Sequence, residues 1–238
     1  LPRNNDAVNE EWISDKTRHV ADGLRTQRLD QPYVRNNGKL APATWGVALA
    51  AVAAKLKAAN PERIGAVAGD LAGAEEMFAL KDLFNRLGSH NVECRQDGQK
   101  LDPKNGRAGY LFNAGIAGIE QADAILWIGT NPRLEAAVLN ARIRKRWRQG
   151  GLAVGLVGAK ADLNYPVEHI GTNPQALLDI AEGRHPFSGV LRQAKRPMVI
   201  VGNGALTRAD GGAVVALAAR IARDVSAGKD GTAGAFNI

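Results

Sequence analysis

One short turn has residue types and spacing that could do chemistry. Gly129, Thr130, Asn131 and Pro132 follow an apolar run and precede a helical pattern. Glycine permits a tight turn, Thr130 and Asn131 offer hydrogen bonds, and a following helix N-terminus favours anions. The turn therefore predicts a contact to a phosphate or a cofactor. An ordinary strand-to-helix turn is the alternative, and so short a motif does not decide between them.

A second turn, Gly-Asn-Gly-Ala at residues 202–205, is a weaker signal of the same kind. It lacks the third glycine of a full dinucleotide-binding fingerprint at the right spacing. The sequence also contains no glycine-rich loop that ends in Lys-Ser or Lys-Thr, which excludes a P-loop.

A basic cluster is the other candidate for binding. Its members are Arg142, Arg144, Lys145, Arg146 and Arg148. On a helix these charges wrap around the surface and do not form one stripe. The cluster predicts docking of an acidic partner protein or of nucleic acid. The alternative is a solvated helix whose charges are balanced by neighbours such as Glu135. No aromatic residues are interleaved in a recognisable nucleic-acid motif.

Metal chemistry is limited by one cysteine and four histidines. A single thiol excludes a disulfide framework, and it excludes an iron–sulfur or zinc site built from this chain's own thiolates. Cys94 could be a nucleophile or a ligand, but a lone cysteine near a strand is more often a small buried apolar residue, as we expect here. The histidines are scattered and form no recognisable catalytic spacing.

Length and charge bound the remaining possibilities. The 238 residues suffice for one or two domains, and the net charge is +7. No apolar run approaches the ~18–20 residues of a membrane-spanning helix, so we expect no direct membrane insertion. The sequence starts at Leu1 and not at Met, and we expect it to be an internal piece of a longer protein.

Short apolar strands alternate with amphipathic helices after residue 44. The expected strands are 63–68, 90–94, 124–128, 152–157 and 197–201. The expected helices are 44–59, 74–87, 134–149 or 136–149, 174–182 and 211–223, the last capped by Asp210. This alternation is typical of an α/β fold with Rossmann-like parallel sheets flanked by helices, which place ligands beyond the carboxyl ends of the strands. We expect a polar N-terminal arm at 1–43 and two α/β units at 44–112 and 113–238.

Eight stretches, spread over nearly the whole chain, agree with one known family. They are NEEWISDKTR at 9–18, QRLDQPY at 27–33, GKLAPATW at 38–45, NVECRQDG at 91–98, IAGIEQADAI at 116–125, IGTNPR at 128–133, LNARIR at 139–144 and RPMVIVG at 196–202. Together they resemble the molybdopterin-oxidoreductase-like region of the large iron–sulfur subunit (75 kDa type) of respiratory NADH–quinone oxidoreductase, complex I.

The resemblance implies a molybdopterin-oxidoreductase-like fold of the formate dehydrogenase and DMSO reductase type, and a place after cluster-bearing domains. The 4Fe-4S and 2Fe-2S clusters are expected in those preceding domains, with no cofactor bound by residues 1–238. In catalytic relatives a Cys, selenocysteine or Ser binds molybdenum several residues after an Asn-Val-Asp-like stretch, and a His follows. Asn91, Val92 and Glu93 match that stretch, but residues 95–100 contain no thiol, hydroxyl or His, and Cys94 comes too early. We therefore expect the metal site to be lost and residues 129–132 to be a vestigial cofactor turn.

The leading hypothesis is a non-catalytic structural module of this electron-transfer subunit. The resemblance implies other subunits of the peripheral arm as partners and no nucleic acid. It implies a location on the cytoplasmic face of the bacterial inner membrane or on the mitochondrial matrix side. Two alternatives remain open, a molybdopterin-dinucleotide-binding oxidoreductase domain and a nucleic-acid-binding module.

Overall fold

Two compact units make up the chain. The computed structural model describes residues 1–69, 71–94 and 98–238. The larger unit combines residues 1–18 with 98–238, and the smaller unit contains residues 19–97. Helix α1 (Asp15–His19) lies where the chain passes from the larger unit to the smaller unit.

The smaller unit begins with a β-hairpin and a helix. Strands β1 (Tyr33–Asn36) and β2 (Lys39–Pro42) pair antiparallel. Asn37 and Gly38 join them with φ values of 48° and 81°, the backbone that Asn-Gly hairpin turns favour. Helix α2 (Trp45–Ala58) follows, and its first turn is capped by the Thr44 hydroxyl, which accepts the Val47 N–H at 3.4 Å. The hairpin has no counterpart among the expected elements, whereas the capped helix is confirmed.

A small parallel pair completes the smaller unit. Strands β3 (Ala66–Val67) and β4 (Val92–Glu93) flank helix α3 (Ala74–Arg86) and pair in parallel. Both strands are shorter than the expected runs 63–68 and 90–94. One cause is local, since Asn60 caps a 3-10 turn at Pro61–Arg63 that takes Arg63 out of the strand.

The larger unit is an α/β sandwich around a five-stranded parallel sheet. Its strands are β5 (Ala124–Ile128), β6 (Ala153–Val157), β7 (Glu168–Gly171), β8 (Pro197–Val201) and β9 (Phe236–Asn237), in the order β7-β6-β5-β8-β9. Its helices are α4 (Pro132–Glu135), α5 (Ala137–Arg148), α6 (Pro174–Ala181), α7 (Phe187–Gln193), α8 (Asn203–Leu206) and α9 (Gly211–Ser226). The expected α/β fold with a parallel sheet is confirmed.

Alternating side chains of β5 divide the core of the larger unit into two layers. Leu126 and Ile128 pack with residues of α6, α7 and α9 on one face. Ile125 and Trp127 pack on the opposite face with Ile143 of α5. All five residues of β5 and all five of β8 are buried, as parallel sheets covered on both faces require.

Residues 98–112 belong to the larger unit because their contacts lie there. The Lys100 N–H donates to the Leu206 carbonyl at 2.9 Å, Leu101 packs against the core, and Phe112 forms an antiparallel bridge to Asn237. The two compact units meet along the chain at residues 18/19 and 97/98. The expected domain ranges 1–43, 44–112 and 113–238 are a different kind of division, and they stay a prediction. Among the described residues, no helix combines the length and apolar character that crossing a membrane requires.

Candidate functional site

A cavity of about 330 Å³ lies at the carboxyl ends of the strands in the larger unit. From β5 the chain moves to β6 and β7 on one side, and it returns to β8 on the other side. Such a reversal of strand order is where open α/β sheets bind ligands. The cavity is lined by the loops that follow β5, β6 and β8 and by residues 172–174 after β7. The structure therefore brings the expected turns at 129–132 and 202–205 to one place.

The glycines of these two turns serve the contact between the loops. Gly129 has a φ of +63°, and a Cβ there would lie 2.6 Å from the Cβ of Ala205. A Cβ on Gly204 would lie 2.5 Å from the carbonyl oxygen of Gly129. Any larger residue would collide with protein and not with a ligand, so loop packing alone accounts for both glycines.

The hydrogen-bond donors of the turn are engaged by a carboxylate of the chain itself. The Thr130 hydroxyl donates to Oε2 of Glu135 at 2.8 Å, and the Asn131 N–H donates to Oε1 of the same residue at 2.7 Å. These are the groups that a phosphate at the turn would need. Glu135 therefore sits as a resident anion at the place where a cofactor phosphate was expected. The turn in this state does not fit the phosphate of a dinucleotide.

The remaining polar groups of the cavity are mixed in charge. Arg208 donates to both carboxylate oxygens of Asp210 at 2.7 and 2.9 Å, and this pairing lowers the pKa of Asp210. Lys160 is an exposed cation at the rim. Oδ1 of Asn131 is buried and has no hydrogen-bond partner in the part of the chain that the structure describes. It is an acceptor that a ligand could satisfy.

Asp210 occupies the N-cap position of helix α9, as expected, and its carbonyl accepts the N–H groups of Ala213 and Val214 at 3.0 and 3.1 Å. Its side chain makes no capping hydrogen bond to the helix. The reason is the bidentate pair with Arg208, which engages both oxygens of the carboxylate.

The basic cluster on α5 is engaged mainly within the chain. Arg142 is buried, with 3% of its side chain exposed, and it contacts residues 6, 10 and 120. Arg144 donates to the carbonyl of Asn164, Lys145 pairs with Glu10, and Arg146 donates to the carbonyl of Gly150. Arg148 is exposed. Arg142 thus presents no charge to an external partner, and the nucleic-acid hypothesis gains no support from the cluster.

Cys94 lies in the smaller unit, and its expected burial is wrong. Its thiol is free and the residue is exposed at the end of β4. The two-residue strand β4 ends one residue earlier, so Cys94 does not enter a sheet core. Residues 95–97, on which the argument for a lost molybdenum ligand partly rests, lie outside the described residues. Within the described ranges, no three His, Cys, Asp or Glu side chains cluster as a metal site would require.

Sequence reasoning missed the residue that decides the chemistry of the turn. It assigns Glu135 only the role of a charge that balances the basic cluster. The position of Glu135, four residues after Asn131, is the signal that could have found it, because a carboxylate in the first helical turn can reach back to free backbone N–H groups.

A model of the molybdopterin oxidoreductase family matches residues 28–238, and the chain belongs to that family. A second model, described as the NADH-ubiquinone oxidoreductase NDSU1/NuoG-like 4Fe-4S domain, matches residues 1–22. The first part of the expected N-terminal arm thus matches the model of an iron–sulfur domain itself.

Relatives give the comparison more detail. The chain is 50% identical over 225 residues to the mitochondrial NADH dehydrogenase (ubiquinone) iron-sulfur protein 1 of Solanum tuberosum, covering 94% of this chain and 30% of the relative. It is 46% identical over 238 residues to the G-type subunit of NADH-quinone oxidoreductase from Rickettsia conorii, covering 100% of this chain and 35% of the relative. The chain thus resembles the large iron–sulfur subunit, as the sequence predicted, and it spans about a third of the length of these relatives.

A solved structure supports the fold. A chain of the formyltransferase/hydrolase complex FhcABCD from Methylorubrum extorquens, determined with methylofuran, superimposes with a TM-score of 0.56 and 17% identity. The match covers 87% of this chain and 59% of that chain.

Proposed function

We propose that the chain is a non-catalytic structural module of the electron-transfer iron–sulfur subunit of NADH–quinone oxidoreductase. The complex as a whole passes electrons from NADH through FMN and iron–sulfur clusters to quinone, coupled to proton translocation. The names of the relatives and the 4Fe-4S domain match at residues 1–22 support this assignment. The 4Fe-4S and 2Fe-2S clusters then belong to other domains of the full subunit.

The observation that carries the non-catalytic part is the carboxylate at the β5 turn. Glu135 accepts from the Thr130 hydroxyl and from the Asn131 N–H. A phosphate placed there would have to displace this carboxylate or lie beside it, and like charges in contact repel each other. Molybdopterin dinucleotides supply metal-centred redox chemistry in catalytic members of the family, and we assign no such step to this chain.

The proposed setting is the peripheral arm of the complex, with the other subunits of that arm as partners. It lies on the cytoplasmic face of the bacterial inner membrane or on the mitochondrial matrix side. The described residues contain no helix suited to spanning a membrane, which is compatible with a module held in that arm by protein contacts.

Elemental and cofactor analysis of the purified complex that contains this chain tests the proposal. Molybdenum and tungsten would be measured by mass spectrometry, and pterins by the fluorescence of their oxidised forms. A molybdoenzyme processed in parallel is the positive control. We expect neither metal nor pterin above background, and a stoichiometric amount of either would overturn the non-catalytic assignment.

A second candidate, a dinucleotide-binding domain, is favoured by one specific observation. The cavity lies at the reversal of strand order, and the buried Oδ1 of Asn131 has no donor among the described residues. The test is a melting-temperature measurement with guanosine diphosphate and with inorganic pyrophosphate as probes. A ligand at about 100 times its dissociation constant would stabilise the folded chain by about 2.7 kcal/mol. We expect no shift for the unaltered chain, whereas a saturable shift would favour the second candidate.

A further inference from the structure

The segment that precedes α1 is folded back onto itself before it meets helix α5. The Asn5 N–H donates to the carbonyl of Glu10 at 2.9 Å, and the Glu10 N–H donates to the carbonyl of Asn5 at 2.7 Å. Glu10 closes this loop with a φ of +52°. That left-handed backbone is unfavourable for a residue with a side chain, so other contacts must hold Glu10 in place.

Arg142 of α5 supplies the first of those contacts. Its Nη2 donates to the carbonyl oxygen of Asp6 at 2.5 Å and lies 3.6 Å from Oε1 of Glu10. Its Nε lies 3.8 Å from Oε1 of Glu120, which comes from the turn before β5. Only 3% of the Arg142 side chain is exposed. A buried guanidinium is costly unless it is paired and hydrogen-bonded. The N-terminal segment supplies Nη2 with a hydrogen-bond acceptor and a carboxylate, whereas Nη1 is buried with no partner among the described residues.

Lys145 adds a second cation one turn along the same face of α5. Its Nζ lies 2.5 Å from Oε1 of Glu10 and 3.4 Å from Oε1 of Glu120. Two cations of the helix and two carboxylates from different segments therefore form one network. A separate contact is made by Lys16, which donates to the carbonyl of Leu134 at 2.7 Å. Residues 5–16 are thus attached at two places, 142–145 and 134.

The attached segment lies within residues 1–22, which match the 4Fe-4S domain model. We propose that helix α5 is the docking surface for the end of that iron–sulfur domain, and that Arg142 is the anchor that sets its orientation on the α/β unit. The identity of the docked domain rests on the proposed function, whereas the attachment of residues 5–10 does not. The sequence analysis predicted that the basic cluster binds an external partner. Two of its members, Arg142 and Lys145, instead make a contact within one polypeptide.

The test compares two variants of the full-length protein, with its iron–sulfur domains present. Arg142→Met removes the guanidinium but keeps a long apolar stem, and Arg148→Met removes an exposed charge from the same helix as a matched control. Hydrogen exchange of the amides of residues 5–10 is the readout. We expect exchange to be at least about tenfold faster in Arg142→Met. In the unaltered protein, residues 5–10 must lose their contacts with Arg142 before they can open locally, and the variant removes that cost. Arg148→Met is expected to leave exchange unchanged.

A second variant keeps the proposal testable if Arg142→Met fails to fold. Glu10→Gln changes one partly exposed carboxylate and leaves the buried arginine with the Asp6 carbonyl and Glu120. We expect a smaller acceleration of exchange in the same residues, in the order Arg142→Met, Glu10→Gln, Arg148→Met. Equal exchange rates in all three variants would overturn the proposal.

Electron paramagnetic resonance of the reduced full-length protein shows whether it carries iron–sulfur clusters. This measurement lets a failure of the Arg142 anchor be distinguished from a failure of the proposed function. If the full-length protein carried no cluster but Arg142→Met still released residues 5–10, the anchor would stand and the proposed function would fall. If the clusters were present and the exchange rates did not change, the anchor would fall and the proposed function would stand.

Discussion

The two units of the chain use the same strand–helix–strand pattern with very different results. In the larger unit, β5 and β8 are buried along their full length, with helices on both faces of the sheet. In the smaller unit, β3 and β4 pair over two residues each. Helix α2 has no buried residue, although it is mostly apolar. Large apolar side chains exposed there are Trp45, Val47, Leu49 and Val52.

The comparison shows that local pattern specifies an element, whereas burial depends on what surrounds it. The Thr44 N-cap of α2 forms as the sequence predicts, but no residue of the capped helix is buried. Within the described part of the smaller unit, the buried residues are Ala68, Phe84 and Ser89. So few buried residues provide little apolar burial to stabilise the smaller unit. We therefore expect the free energy of unfolding to reside mainly in the larger unit.

The largest expected effect is the truncation of a central side chain in the larger unit. Leu126 is fully buried in β5, and Phe78 of α3 in the smaller unit is 72% exposed. Leu126→Ala should lower the free energy of unfolding by about 3–5 kcal/mol, because a cavity adds to the lost apolar burial. Phe78→Ala should change it by less than about 0.5 kcal/mol.

Urea unfolding of both variants, followed by far-ultraviolet circular dichroism so that the helices of both units contribute to the signal, measures the difference. Comparable losses in Leu126→Ala and Phe78→Ala would contradict the assignment of stability to the larger unit.

Glycine-to-alanine substitutions should have opposite signs in the two units. A Cβ on Gly202, after β8, would collide with the Cβ of Thr130. Gly202→Ala should therefore cost about 1–3 kcal/mol, as overpacking does. A Cβ on Gly46 in the first turn of α2 would meet no atom within 4 Å. Gly46→Ala should stabilise by about 0.5 kcal/mol, because alanine favours a helix and restricts the unfolded chain.

The melting temperatures of the two glycine variants, compared with that of the unaltered chain, check both signs. A stabilised Gly202→Ala would mean that the β5 and β8 loops do not pack as closely as their glycines indicate.

The sequence predicts local features better than long-range ones. The apolar runs of β5 and β8 and the Thr44 cap are visible because each is continuous along the chain. Strand β7, with the residues Glu-His-Ile-Gly, and the two-residue β9 carry no apolar run. They become strands because β6 and β8 offer free edges.

The candidate site follows the same division. The position of the turn at 129–132 was predictable from a strand, a glycine and a helix start. The burial of Arg142 was not, because its acceptor at Asp6 lies 136 residues away in sequence. The exposure of Cys94 was equally hard to predict, since it depends on how short β4 is.

The smallest expected effect concerns pH and the network on α5 in the larger unit. A hydrogen bond from Lys145 lowers the pKa of Glu10 below its ordinary value, and the same bond raises the pKa of Lys145. Arg142 and Glu120 are the other charged groups that face this pair. The Glu10 contribution to stability is therefore complete above its ordinary pKa and is lost as pH falls through the folded value. The Lys145 contribution is complete below its ordinary pKa and is lost as pH rises through the folded value.

Urea unfolding of the unaltered chain and of Glu10→Gln over a range of pH measures this contribution. The stability difference between them should be largest between about pH 5 and pH 10, and it should be lost as the pH falls through the lowered pKa of Glu10. Glu11→Gln, at the neighbouring exposed position, is the matched control and should show no such window. A difference that persisted unchanged at low pH would mean that Glu10 stabilises the chain through its loop geometry and not through its charge.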